Sequence, residues 1–387
     1  MKDISTRLVN AGKAEALQII NTINPPLHRA STVIFDSYSD MLKANKGEFE
    51  GIEYGTCGLS AQKAFEVAML ELEGAHGCRA FQSGIAAIAM VLMAYTKQGD
   101  HILICDNVYG PTRRFCDVFL AKYGVETEYL PSDAGVGIAG YIRENTKLLF
   151  MESPGSNTFE IQDISAITAE CRAKGVVSVI DNTWATPLYF NPFKHGVDVS
   201  IQSCTKYITG HSDILLGTVS TNEQSWEAFN KCCGLFEVYA AQEDCYQGLR
   251  GLRTLKVRLK AHEESALEVA KWLEKHDMVE SVIHPALESH PQHELWKKYY
   301  NGSSGLFAFT LKEEYENIDH SPFVDNLDLF GLGYSWGGYK SLITGGKFRR
   351  TNPFGYEGKT IFRLNIGLED VEDLKADLAQ GLERLKV

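Results

Sequence analysis

The residues best equipped for covalent chemistry are gathered in Ser-Cys-Thr-Lys-Tyr-Ile-Thr-Gly-His-Ser-Asp, residues 203–213. Lys206 stands between hydroxyl residues on one side and a Gly-His-Ser turn on the other, and Asp181 closes the apolar run Val176–Ile180 upstream. A lysine amine condenses with an aldehyde, hydroxyls donate to a phosphate, and a buried carboxylate keeps a pyridine nitrogen protonated. Pyridoxal 5'-phosphate (PLP) makes all three demands, and Lys206, the pair Ser203 and Thr205, and Asp181 answer them in turn. Singly, each has a plainer reading: a lysine is ordinarily a solvated charge, and an aspartate after a strand is ordinarily a helix cap. Their order and spacing carry the cofactor reading.

Those residues need a scaffold, and the hydrophobic pattern supplies one. A helix-like stretch at 62–74 is followed by a Gly-Cys-Arg-Ala-Phe-Gln-Ser-Gly turn and a small-residue helix from Ile85. Apolar runs then recur at Ile102–Cys105, Lys147–Glu152, Val176–Asp181, Val199–Cys204 and Gly217–Thr221, with helical stretches between several of them. Such alternation predicts an α/β fold: a mostly parallel sheet with helices on both faces. Ligands bind such sheets at the carboxyl ends of the strands, where Ser83-Gly84, Tyr109, Asp181 and Lys206 all fall. Beyond residue 245 the pattern changes to a long amphipathic helical region near 252–275, strand-like Leu306–Leu311 and Ile361–Gly367, and a closing helix 370–386, a smaller α/β domain. The first fifty-odd residues, broken by Pro25-Pro26, show no strand-helix unit and read as an arm. The expected division is an arm at 1–57, a cofactor domain at 58–245 and a C-terminal domain at 246–387.

Composition narrows the classes of function. The chain of 387 residues carries 38 basic and 50 acidic side chains, a net charge of −12, with no block of like charge. Neither nucleic acid nor an anionic membrane surface is an expected partner. The most apolar helix-like run, Gly84–Tyr95, is shorter than the ~18 residues of a membrane span. The N-terminal Met-Lys-Asp-Ile-Ser-Thr-Arg lacks the apolar core of a signal peptide, so a cytoplasmic protein is expected. Nine cysteines, an odd count without metal-ligand spacing, read as reduced and mostly buried thiols, with no metal site.

Longer blocks bring a family into view. They include Glu152-Ser153-Pro154-Gly155-Ser156, Ile180-Asp181-Asn182-Thr183-Trp184-Ala185, Thr205-Lys206-Tyr207 with Gly210-His211-Ser212-Asp213, Gly248-Leu249-Arg250 running into Gly251-Leu252-Arg253-Thr254-Leu255, and Tyr334-Ser335-Trp336-Gly337-Gly338-Tyr339. From Leu8 to Asp370 the chain resembles the Cys/Met-metabolism family of PLP-dependent enzymes, fold type I, and within it the bacterial cystathionine β-lyases. The resemblance implies a seven-stranded PLP domain and a tetramer built from two active dimers, a homo-oligomer whose active sites are shared between subunits. It makes Lys206 the Schiff-base lysine and catalytic base, Asp181 the partner of the pyridinium nitrogen, and Tyr109 the ring-stacking tyrosine with a share in proton movement. Ser83, Gly84 and Ile85 become the phosphate turn, a role that a helix N-terminus suits physically, with Ser203 and Thr205 completing the cup. Tyr54 would reach the neighbouring subunit's phosphate. Arg363, in Ile-Phe-Arg-Leu-Asn-Ile-Gly, would clamp the substrate α-carboxylate with Ser335, Trp336 and Tyr334 around it. A bidentate guanidinium suits that task, although an arginine in an apolar strand can equally serve an internal salt bridge. Packing is the alternative reading for Tyr109, Tyr334 and Trp336.

The implied activity is β-elimination of L-cystathionine, or of a related cysteine S-conjugate, to homocysteine or another thiol, pyruvate and ammonia. An alanine-type racemase or a cysteine desulfhydrase on the same scaffold is the alternative, and a non-catalytic PLP-binding regulator is a remote third. Two positions depart from the family pattern. Tyr54-Gly55-Thr56 stands where Tyr-x-Arg is common, and Lys340 follows Tyr339 where close relatives carry a glutamate. The first removes a cationic phosphate ligand, and the second reverses a charge near the substrate loop.

Overall fold

A computed structural model describes residues 3–12 and 22–386. Seven strands form the first sheet: β1 (Gly77–Phe81), β2 (His101–Cys105), β3 (Glu126–Leu130), β4 (Thr146–Glu152), β5 (Val177–Asp181), β6 (Val199–Gln202) and β7 (Gly217–Thr221). Their order is β1-β7-β6-β5-β4-β2-β3. β2 to β6 pair in parallel, and β7 runs antiparallel to both β6 and β1. Every residue of β2, β6 and β7 is buried, as expected of strands covered on both faces. Alternation along β1 shows the two layers directly. Cys78 and Ala80 join a core built with helices Ser60–Glu73 and Gln242–Leu273, whereas Phe81 joins the core that holds helix Gly84–Ala94.

The second, smaller sheet contains β8 (Val279–Ile283), β9 (Leu306–Leu311), β10 (Gly331–Leu332), β11 (Leu342–Gly346) and β12 (Ile361–Asn365), in the order β10-β11-β12-β9-β8. Its apolar face packs with the later part of helix Gln242–Leu273 and with helix Val371–Glu383 around Phe307, Phe309, Phe323 and Phe362. The two layers together give the α/β class expected from the sequence.

The elements that differ from expectation include three in or beside the first sheet. The segment Gly77–Phe81, read as part of a turn, is strand β1. β3 escaped notice because Glu126 and Glu128 interrupt its apolar residues, which an edge strand tolerates. The helix expected near 252–275 begins at Gln242, and the boundary expected between 245 and 246 falls inside it. Gly248 and Gly251 lie inside this helix, which needs them small. A Cβ on Gly251 would lie 2.2 Å from the Ile208 carbonyl oxygen, and one on Gly248 would lie 2.7 Å from Leu216 Cδ2. That close approach seats the helix against the segment that carries Lys206.

Candidate active site

The carboxyl edge of the first sheet collects the chemistry. β4 ends at Glu152 and β5 at Asp181, and these two carboxylates are direct cross-strand partners. β6 ends at Gln202, immediately before Ser203, and β1 is followed by Ser83. Asp181 is buried, and its Oδ1 accepts both the N–H and the hydroxyl of Thr183. Its Oδ2 accepts nothing from the described residues. Burial raises its pKa, against the Thr183 bonds and the nearby Lys206 cation. Glu152, which accepts the Tyr109 N–H at 2.6 Å, is pushed well above the usual carboxylate range by burial and then by Asp181.

Lys206 follows β6 in a turned segment whose Lys206 N–H donates to Ser203 O at 3.1 Å. Its Nζ donates to Ser335 Oγ at 2.5 Å and lies 5.3 Å from the Trp336 ring centroid. Burial, reinforced by the Arg363 charge and opposed by Asp181, lowers the lysine pKa to about 8. An amine in that range is available as a base near neutral pH. Arg363 arrives from the second sheet, on β12 between Ala308 of β9 and Thr344 of β11. Its Nη1 donates to Asn157 Oδ1 at 3.0 Å, and among the described residues it forms no salt bridge. The internal ion pair that would have explained this arginine structurally is therefore not formed by the described residues.

Ser83 caps helix Gly84–Ala94, its hydroxyl accepting from Ala86 N at 3.2 Å. The N–H groups of Gly84 and Ile85 have no partner within the helix. Ser203 crowds this turn so closely that a Cβ on Gly84 would lie 2.6 Å from Ser203 Oγ. Thr205 is held within its own segment. Its N–H and its hydroxyl both donate to Leu216 O, at 3.0 and 3.1 Å, and its oxygen also accepts from Leu216 N at 2.9 Å. These bonds brace the lysine segment, and the hydroxyl would donate to a phosphate by turning its proton away from Leu216 O. Tyr109 is 46% exposed and feels both Glu152 and Arg363.

Two expected residues stand apart. Tyr334 is 93% exposed and packs at no interface among the described residues. Tyr54 bridges Thr32 on the arm, is 45% exposed, and its hydroxyl bonds to none of the described residues. Thr56 lies in the short turn Gly55–Cys57 beside it. Lys340 is exposed, and its carbonyl accepts from Asn365 Nδ2 at 2.9 Å. Sequence reasoning missed Glu152, Asn157 and Thr183 as site residues. Glu152 ends an apolar strand just as Asp181 does, so the same rule would have found it. Asn157 carries no such signal, because its partner is 206 residues away.

A family model described as Cys/Met metabolism PLP-dependent enzyme matches residues 5–383. The chain belongs to that family. As a Cys/Met metabolism enzyme it depends on PLP, and the residues present fit the cofactor: an Asp181 oxygen and glycine-turn N–H groups that are unengaged among the described residues, and a buried lysine of lowered pKa. Cystathionine beta-lyase MetC of Escherichia coli is 41% identical over 393 residues, covering 99% of both chains. An L-alanine/L-glutamate racemase of Wolbachia pipientis wMel is 39% identical, covering 94% of this chain and 93% of that one. The crystal structure of metB from Corynebacterium glutamicum superposes with a TM-score of 0.87 at 30% identity, covering 100% of this chain and 99% of its own.

Proposed function

We propose that this enzyme is a carbon–sulfur β-lyase acting on L-cystathionine or a related cysteine S-conjugate. The observation that carries the reading is Arg363, a cation without an acidic partner among the described residues, close enough to Lys206 to lower its pKa. A carboxylate site thereby adjoins an amine site, which is the layout an α-amino acid requires. The 41% identity to a cystathionine beta-lyase supports the sulfur-containing substrate.

When bound, PLP supplies an aldehyde that links to amines and an electron-withdrawing ring that stabilises negative charge at Cα. Asp181 Oδ2 would hold the ring nitrogen, the Ser83–Ile85 turn and Ser203 would hold the phosphate, and Tyr109 would cover the ring. Arg363 orients the substrate carboxylate, which fixes the Cα–H bond toward Lys206. Lys206, whose lowered pKa makes its neutral form accessible, takes the Cα proton in that form. The Cβ–S bond then breaks, and the departing sulfur accepts a proton that the same amine can return. Ser335 holds that amine in place between the two transfers.

We further propose a homo-oligomer with active sites shared through the arm, in which Tyr54 meets the neighbouring subunit's phosphate. The unpartnered Tyr54 hydroxyl supports this. Cytoplasmic operation is the compartment we assign, supported by nine free cysteines. Among the described residues, no helix is long and apolar enough to cross a membrane.

Racemisation is the second reading, favoured by the 39% identity to an L-alanine/L-glutamate racemase. One assay separates the two. Purified holoenzyme given L-cystathionine should release pyruvate with homocysteine, and Lys206→Ala should abolish it. D-alanine from L-alanine, without thiol from cystathionine, would instead establish the racemase.

A further inference from the structure

Asn157 has no part in the mechanism so far, yet among the described residues it makes the one hydrogen bond on the Arg363 guanidinium. It lies beyond the end of β4, on the first sheet, while Arg363 rides on β12 of the second. The backbone around it is closely fixed. Asn157 adopts φ +67°, a left-handed conformation that asparagine tolerates better than most residues. Ser156 N donates to Asn107 O at 2.8 Å, and Phe159 N donates to Gly155 O at 3.0 Å. Gly155 sits so near Asn107 that a Cβ there would lie 2.1 Å from Asn107 Nδ2. The amide oxygen is thus presented from a rigid turn to a long side chain that would otherwise sample many rotamers.

The chemistry of the acceptor matters as much as its place. A carboxylate here would pair with the guanidinium and cancel its charge, whereas a neutral amide fixes one N–H and leaves the charge intact. Four further N–H donors remain, enough for a bidentate contact.

We propose that Asn157 is a positioning residue, which holds Arg363 by one edge so that the other is presented to the substrate carboxylate. Asn157 thereby sets the discrimination between amino acids and amines that lack a carboxylate. The inference rests on Arg363 acting as the carboxylate clamp, and the experiment tests the two separately.

The probes are glycine and methylamine, each titrated into holoenzyme and followed through the cofactor absorbance. In Asn157→Leu, glycine affinity should fall about tenfold, the worth of one charge-assisted hydrogen bond, with methylamine affinity unchanged. Asn157→Asp, nearly isosteric and able to fold where leucine is not, should lose about a hundredfold for glycine, because the charge meant for the ligand is neutralised. For cystathionine turnover, KM should rise in both variants by more than kcat falls. Adding Asn157→Leu to Arg363→Ala should change nothing further. Should Arg363→Ala itself keep the glycine preference, the clamp reading fails and takes this inference with it. Should Arg363→Ala lose that preference while both Asn157 variants keep it, or should both probes weaken equally in them, Asn157 is not positioning the clamp.

Discussion

At the scale of single residues, one pocket moves acids and bases in opposite directions. Burial disfavours charge whatever its sign, so Asp181 and Glu152 are shifted upward while Lys206 falls to about 8. The lysine shift has a consequence for the cofactor-free protein. The unfolded chain holds the Lys206 proton up to the ordinary lysine range near 10.5, whereas the folded chain releases it near 8. Between those values the unfolded state binds more protons, so folding stability should rise with pH. Urea unfolding of the apoprotein, measured against Lys206→Met at pH 8 and pH 10.5, should show wild type gaining roughly 2 kcal/mol on the variant. A difference that stays flat across the window would mean that the lysine is not desolvated as described. The position of Lys206 was legible in the sequence because hydroxyls, glycine and a strand-end acid lie close to it in the chain. Its neighbours Arg363 and Ser335, and the Asn157 bonded to that arginine, come together only through folding, and without the family resemblance only the oddity of an arginine in an apolar strand pointed to any of them.

At the scale of elements, the loop before β11 holds the lysine. Ser335 has φ +84° and Gly337 has φ +83°, two left-handed residues that aim the Ser335 hydroxyl at Lys206. Gly337 cannot be larger, since a Cβ there would lie 2.9 Å from the Lys206 carbonyl carbon and from Tyr207 N. Its N–H is tied to Asn365 Oδ1 at 2.8 Å, which anchors the loop to the end of β12. Gly337→Ala should destabilise the protein by about 1–3 kcal/mol, from the left-handed backbone and the contact together. It should also slow turnover, because Ser335 moves with it. Gly346→Ala, in β11 with nothing within 4 Å of its Cβ, is the matched control and should leave both unchanged. Equal thermal melting points for the two variants would remove the steric argument. These elements also explain what the sequence hides. Runs such as Ile102–Cys105 announce strands because both faces are buried, whereas Gly77–Phe81 contains Arg79, which reaches a half-buried Asn230 and breaks the run. Glycines in helix Gln242–Leu273 look like stops until the segment packed on them is known.

At the scale of the whole molecule, the two sheets are fastened over the site by a strap between β11 and β12. Arg350 pairs with Glu160, and Asn352 N and Nδ2 both donate to Asp106 Oδ2, at 2.6 and 3.0 Å. The arm is the part this chain leaves uncovered. Ile23 is 90% exposed, Ile34 88% and Tyr38 71%, more apolar surface than an isolated segment ordinarily presents to water. A second copy of the chain covering this arm would also bring Tyr54 to a foreign phosphate site. Subunit mixing tests that arrangement. Tyr54→Phe should speed PLP release, by about tenfold if its hydroxyl makes one hydrogen bond to phosphate, and Lys206→Ala should be inactive. When the two variants are unfolded and refolded together, each mixed dimer contains one site with Lys206 from one chain and Tyr54 from the other. That site should retain PLP at the wild-type rate, giving a slow phase absent from Tyr54→Phe alone. Release kinetics identical before and after mixing would mean that Tyr54 serves no neighbouring site, and that the exposed arm binds something other than a second copy of this enzyme.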